Sequence, residues 1–244
     1  MTQNIYDDDT FFAGYGQLDR SRLGLDGAPE WPTLRAMLPD LAGKRVLDLG
    51  CGFGWFCRWA AEQGAERVLG IDVSANMLAR AQSMAKGEAV VYLRADLEAV
   101  TLPRGAFDLV YSSLALHYIV DLEGLLAKVR RALKPGGVLV CSVEHPTMTA
   151  PTEPEWVKRP DGRSVWPLDR YLAEGERVTD WLAPGVIKQH RTIETYVALL
   201  LGAGFRLTDL REWGPSLEQS AERPDFALGR ERPFFMLLGG RLED

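Results

Sequence analysis

The sequence predicts an α/β fold, a doubly wound and mostly parallel sheet with helices on both faces. Short apolar runs of strand length alternate along the chain with longer segments of helical character, the pattern of successive βαβ units. The first run, Val46 to Leu49, ends in the glycine turn Gly50-Cys51-Gly52-Phe53-Gly54, and a helix-compatible segment opens directly after it at Trp55. The second run, Val68 to Ile71, ends on an acid, Asp72, at the strand end where open α/β sheets place their ligands.

Taken in order, Tyr6 to Leu25 mixes acids with Phe11, Phe12, Tyr15 and the basic pair Arg20 and Arg22. A disordered tail carries fewer aromatics, so residues 1–42 read as an ordered arm. Pro29, Trp31 and Pro32 open a helix, Thr33 to Leu38, that stops at Pro39. The first strand follows, then a helix from Trp55 to Gln63 ended by Gly64. Strand two runs from Arg67 to Ile71, and Ser74 caps a helix reaching about Ala85. Ala89 to Leu93 is strand three and Phe107 to Tyr111 strand four. The helix Leu122 to Leu133 ends in a turn at Pro135-Gly136-Gly137 before strand five, Val138 to Val143. Between about 146 and 190 the periodicity lapses into prolines, tryptophans, acids and arginines. A segment of that length inside a compact domain is usually functional, so it reads as a substrate cap walled by Trp166, Tyr171 and Trp181. Helix Thr192 to Leu201, strand six from Phe205 to Trp213 and a last strand from Phe234 to Leu238 complete one domain over residues 1–244.

The glycine turn is a ligand loop, because residues without a Cβ let another molecule approach the backbone. Its spacing narrows the ligand. A dinucleotide fingerprint wants a small residue where Trp55 stands, and a P-loop wants a Lys followed by Ser or Thr after its last glycine. Neither requirement is met. Asp72 can accept from both hydroxyls of a ribose and would repel a phosphate there.

With Leu47-Asp48-Leu49-Gly50-Cys51-Gly52-Phe53-Gly54, Gly70-Ile71-Asp72-Val73-Ser74, Ala95-Asp96-Leu97 and Leu133-Lys134-Pro135-Gly136-Gly137 in register, the chain resembles the class I S-adenosylmethionine-dependent methyltransferases, densely over about residues 40 to 145. The segments Ser113-Leu114-Ala115-Leu116-His117-Tyr118, Ser142-Val143-Glu144-His145-Pro146 and His190-Arg191-Thr192 point further to a group of small bacterial methyltransferases. The resemblance implies a Rossmann-like, seven-stranded sheet whose last strand runs antiparallel beside strand six, and S-adenosyl-L-methionine as cofactor. It implies a cofactor site built from Asp48, Gly50, Cys51, Gly52, Gly54, Asp72, Val73, Asp96, Leu97 and Ser112, with Asp96 accepting from the adenine amine. Tyr15 and Arg20 from the arm are expected at the methionine end of the cofactor.

For the chemistry, His145, then His117, then His190 are the candidate bases, since a histidine near neutrality can deprotonate a phenol, hydroxyl or ammonium acceptor. Arg191 and Arg170 are candidates to pair with an acidic group on the acceptor. Composition bounds the partners. A net charge of −6 and no Lys/Arg block argue against nucleic acid, and no apolar run approaches a membrane span. The acidic start lacks the features of a secretory leader, so a cytoplasmic protein with a small-molecule acceptor and no metal is expected. Cys51, Cys57 and Cys141 show no metal-ligand spacing and read as reduced, buried thiols. A nicotinamide-dependent oxidoreductase or epimerase and a non-catalytic binding module are the competing functions.

Overall fold

A computed structural model describes residues 3–243. The arm folds as a 3-10 turn at Ile5–Asp7, α1 (Asp9–Tyr15), α2 (Asp19–Arg22), a second 3-10 turn at Gly24–Gly27 and α3 (Trp31–Met37). The alternating core follows as β1 (Arg45–Leu49), α4 (Trp55–Glu62), β2 (Arg67–Asp72), α5 (Ala75–Ser83), β3 (Val90–Arg94), β4 (Phe107–Ser113), α6 (Leu122–Ala132) and β5 (Leu133–Glu144). Beyond it lie α7 (Pro146–Thr149), two short strands β6 (Val157–Lys158) and β7 (Ser164–Val165), and the longer pair β8 (Gly175–Trp181) and β9 (Ala183–His190). The chain ends with α8 (Ile193–Gly202), β10 (Phe205–Trp213), α9 (Leu217–Glu222) and β11 (Phe235–Leu242).

The main sheet has seven strands in the order β10-β11-β5-β4-β1-β2-β3. β11 is antiparallel to both neighbours, whereas the pairs β4–β5, β1–β4, β1–β2 and β2–β3 are parallel. The last strand therefore sits between strand six and β5 and leaves β10 at the edge. From β1 the chain builds outward first through β2 and β3, then on the other side through β4, so the order reverses between β1 and β4. That reversal opens a crevice at the strands' carboxyl ends. Both faces are covered: Leu47 and Leu49 of β1 pack into one apolar cluster with α6 and α8, and Val46 packs into another with α3 and α4. A third cluster lies beyond the strand ends, where Phe11, Ala183 and Val186 join the arm to the β8–β9 hairpin.

Three local expectations change. Pro135-Gly136-Gly137 is not a separate turn but a bulge inside β5: Phe107 pairs with Leu133 and Leu109 with Val138, and Gly136 absorbs the extra length at φ 69°. The loop-rich insertion is a structured cap. β8 and β9 pair antiparallel, and Gln3 ties the arm to them through Gly185 O and Ile187 N, both at 2.9 Å. The last strand runs on to Leu242, through Gly239 and Gly240, which read as its end. A side chain on Gly239 would meet Thr208 Oγ1 at 2.7 Å and one on Gly240 Phe205 at 3.2 Å, so packing from β10 selects glycine inside that strand.

Candidate active site

The glycine turn that follows β1 is held by its own hydrogen bonds. Gly50 N and Cys51 N donate to Ile71 O, Gly54 N donates to Cys51 O, and Gly52 N donates to Asp72 Oδ2 at 2.9 Å. Gly50, Gly52 and Gly54 all take positive φ, of 73°, 50° and 67°. A Cβ on Gly50 would fall 2.4 Å from Ala115 Cβ in the segment leaving β4, so the two sides of the crevice touch there. On Gly52 a Cβ would meet nothing within 4 Å, and that position faces open space. Gly54 is different: its Cβ would lie 2.1 Å from Tyr92 Oη, so it serves the packing of α4 on β3.

Asp72 is fixed at the end of β2 by two backbone donors, Gly52 N on one oxygen and Ser74 N on the other. Burial raises its pKa despite those bonds. A carboxylate has about four acceptor sites, so each oxygen keeps a lone pair for a ligand hydroxyl. Asp48 is buried on β1 and accepts from Cys57 Sγ at 3.2 Å, and burial pushes its pKa up to about 7. Asp96 accepts from Glu98 N at 2.9 Å beside the buried Leu97.

These groups line one cavity of about 400 Å³. Of the sequence-expected cofactor residues, Asp48, Gly50, Cys51, Gly52, Asp72, Val73, Asp96, Leu97, Tyr15 and Arg20 are on its wall. Two are not. Gly54 lies behind the turn, and Ser112 is wholly buried with its hydroxyl donating to Leu49 O at 2.8 Å, a stitch between β4 and β1. Arg20 reaches the wall already paired, its two terminal nitrogens 3.1 and 3.2 Å from the carboxylate oxygens of Glu30.

The arm and the hairpin roof the cavity. Asp7 accepts from Ser74 Oγ at 2.5 Å, Asn76 N at 3.0 Å and Ala75 N at 3.2 Å, which seats the arm on the amino end of α5. Tyr6 then packs edge-on against Phe11, Tyr15 and Tyr118, and Tyr15 against Phe53 and Trp181. Trp181 lines the cavity, while Trp166 and Tyr171, expected beside it as cap walls, do not.

The structure separates the three histidines. His117 lies on the wall, buried, with Nδ1 accepting from Glu144 N at 3.3 Å, and burial lowers its pKa to about 4. It is therefore neutral near pH 7, with its proton on Nε2. His145 lies outside the wall and both ring nitrogens are engaged, Nε2 with Glu212 at 3.0 Å and Nδ1 with Thr147. His190 is likewise spent between Thr149 Oγ1 and Tyr171 O, both at 2.8 Å. Nor do the proposed acceptor-binding arginines reach the wall: Arg191 donates to Ile119 O and Val120 O, and Arg170 is exposed.

Other residues complete the wall without having been singled out from sequence. Tyr6, Glu30 and Arg232 come from segments far apart in the chain and no motif marks them, while Tyr118 ends the segment Ser113 to Tyr118 without having been assigned a role. Glu144 was expected at this edge, but its partner was not: Lys188 donates to it at 2.6 Å across from β9, and that charge holds the carboxyl below its usual range. Among the described residues no group of His, Cys, Asp and Glu side chains could hold a metal.

The fit to an adenosyl sulfonium is chemical. The turn spends its amides internally instead of offering them to a phosphate, the acid at the end of β2 suits a diol, and the rings of Tyr6, Tyr15, Phe53 and Trp181 line the cavity as a cation's neighbours can. Residues 47–141 match the family model of the methyltransferase domain. An S-adenosylmethionine-dependent methyltransferase from Mesorhizobium loti superposes with a TM-score of 0.86 at 52% identity, covering 89% of this chain and 100% of that one. An uncharacterised protein of Haemophilus influenzae is 34% identical over 86% of this chain and 85% of its own. A malonyl-[acyl-carrier protein] O-methyltransferase of Enterobacter lignolyticus is 39% identical, over 50% of this chain and 46% of its own length. On this fold, this site chemistry and these relatives, the chain belongs to the S-adenosylmethionine-dependent methyltransferases.

Proposed function

We propose that the chain methylates a small-molecule acceptor held in the same cavity as the cofactor, under the roof made by the arm and the β8–β9 hairpin. The observation that carries this reading is the continuity of the wall, which runs from Asp72 and Asp96 to His117, Glu144 and Trp181. When bound, S-adenosyl-L-methionine would supply a methyl group on a sulfonium, open to displacement by an acceptor's lone pair with a neutral thioether as the leaving group. Asp72 would hold the ribose hydroxyls and Asp96 and Leu97 the adenine, and Gly52, whose missing Cβ faces open space, would leave room beside them.

Orientation is the main contribution asked of the protein, and holding two reactants in line can supply about 7 to 11 kcal/mol. Tyr6, Tyr15, Phe53 and Trp181 exclude water around that line. No histidine serves as a strong base in this reading. His117 presents an Nε2 proton to the cavity, so it donates a hydrogen bond to the acceptor and fixes its orientation. The acceptor then brings its own lone pair, already free of a proton at neutral pH.

The test is transfer from an isotope-labelled methyl donor to a bacterial extract split by mass. Label in the low-mass fraction is expected. Label confined to protein or nucleic acid would contradict a small-molecule acceptor.

A further inference from the structure

Two arginines line the cavity, and only one has its charge answered. Arg20 is held by Glu30, as described above. Arg232, in the bend before β11, has no carboxylate within ion-pair distance among the described residues. Glu144 acts on it electrostatically from the same wall, but the Glu144 carboxylate is already bound by Lys188 at 2.6 Å. The other titratable groups around this end are the neutral His117 and the His145–Glu212 pair, whose carboxylate stays with the imidazole.

Arg232 is also presented in a particular way. Its guanidinium lies over the rings of Trp166, Phe234 and Trp156, at 3.7, 5.2 and 5.4 Å from their centres. Aromatic rings surround the guanidinium, and because Arg232 also lines the cavity its donor edge is available to a ligand there. Five N–H donors sit on that edge, yet Nη1 has only the thioether of Met148 and Nε is buried with no partner. A buried, unpaired donor on a cation is costly to keep unless a ligand supplies the acceptor.

We propose that Arg232 anchors a carboxylate carried by the methyl acceptor, so that the acceptor is a small organic acid. The inference rests on the small-molecule reading above and names its substrate class. It assigns Arg232 to recognition and leaves open which atom of the acid receives the methyl group. An arginine suits this place better than a lysine, since a planar fork meets a carboxylate through two parallel bonds.

Protein saturated with S-adenosylhomocysteine is titrated with malonate, succinate and benzoate, with their amides malonamide, succinamide and benzamide, and with inorganic phosphate, following the melting midpoint. At least one carboxylate is expected to raise it saturably while its amide does not. Arg232→Gln should weaken that effect at least tenfold, and Arg232→Lys, which keeps charge but loses the fork, should retain part of it. Equal effects of acid and amide, an effect of phosphate alone, inert carboxylates, or an unchanged R232Q would each overturn the proposal. S-adenosylhomocysteine affinity, measured in all three proteins, separates the two readings. Its absence in the wild-type protein removes the cofactor site itself, whereas its presence beside inert carboxylates removes only the role of Arg232.

Discussion

Asp48 and Asp72 are two buried acids at the ends of adjacent strands, and their surroundings give them different work. Asp72 has a backbone donor on each oxygen and is held ready for a diol. Replacing it by Ala removes charge-assisted bonds worth about 1.5 to 3 kcal/mol each, so S-adenosylhomocysteine should bind at least tenfold more weakly in calorimetry. Burial of Asp48, offset only by a thiol donor and reinforced by Asp72 as a like charge, raises its pKa to about 7 from an ordinary 3.8. Between those values the folded chain keeps a proton that the unfolded chain has released, so this group's contribution to stability falls as pH rises from about 4 to about 7. Asp48→Asn cannot ionise. The variant's melting midpoint, relative to wild type, should therefore rise between pH 5 and pH 7 and level off above that in cofactor-free protein, and a constant difference would contradict it. At this scale the sequence was legible where a turn or a strand end dictates the residue, as at Gly50, Gly52 and Asp72. It was not legible for the histidines. Residue type shows that a ring can titrate, while its partners, such as Glu212 for His145 and Thr149 for His190, come from strands and loops remote in the chain.

The arm and the β8–β9 hairpin are the elements that turn an open crevice into a closed cavity. Asp7 is their anchor on α5, and Asp7→Ala removes three hydrogen bonds to that helix start. A lost cap of this kind costs about 1 kcal/mol, and the arm should lift more often. S-adenosylhomocysteine should therefore dissociate several-fold faster from the variant in stopped-flow measurements, with the association rate little changed. Trp181 joins the hairpin to Phe11 and Tyr15, and Trp181→Ala should lower turnover more than it weakens cofactor binding. The hairpin escaped sequence reading for a physical reason. Val178 is 62% exposed on one face of β8 while Arg177 is buried at 7%, so the alternation that betrays a strand is inverted there. The charged stem of Arg177 is buried because it donates to the carbonyls of Ala150 and Ala173, contacts that only the folded cap creates.

At the scale of the whole molecule, the succession of strands and helices from β1 to β5 was readable, since the central strands β1, β2, β4 and β5 are largely buried apolar runs and each helix carries a cap or a glycine stop. The antiparallel place of β11 beside β10 came from the family resemblance alone, because its insertion between β10 and β5 is decided by pairing across the sheet and not by any local pattern. The charge of −6 leaves no excess of cations for a polyanion-docking face. The central claim is that this cavity takes an adenosyl sulfonium and not a dinucleotide. Isothermal titration of the wild-type protein with S-adenosylhomocysteine, and separately with NAD, tests it most directly. The site predicts saturable heat at one equivalent of S-adenosylhomocysteine and none with NAD; heat with NAD alone would contradict it.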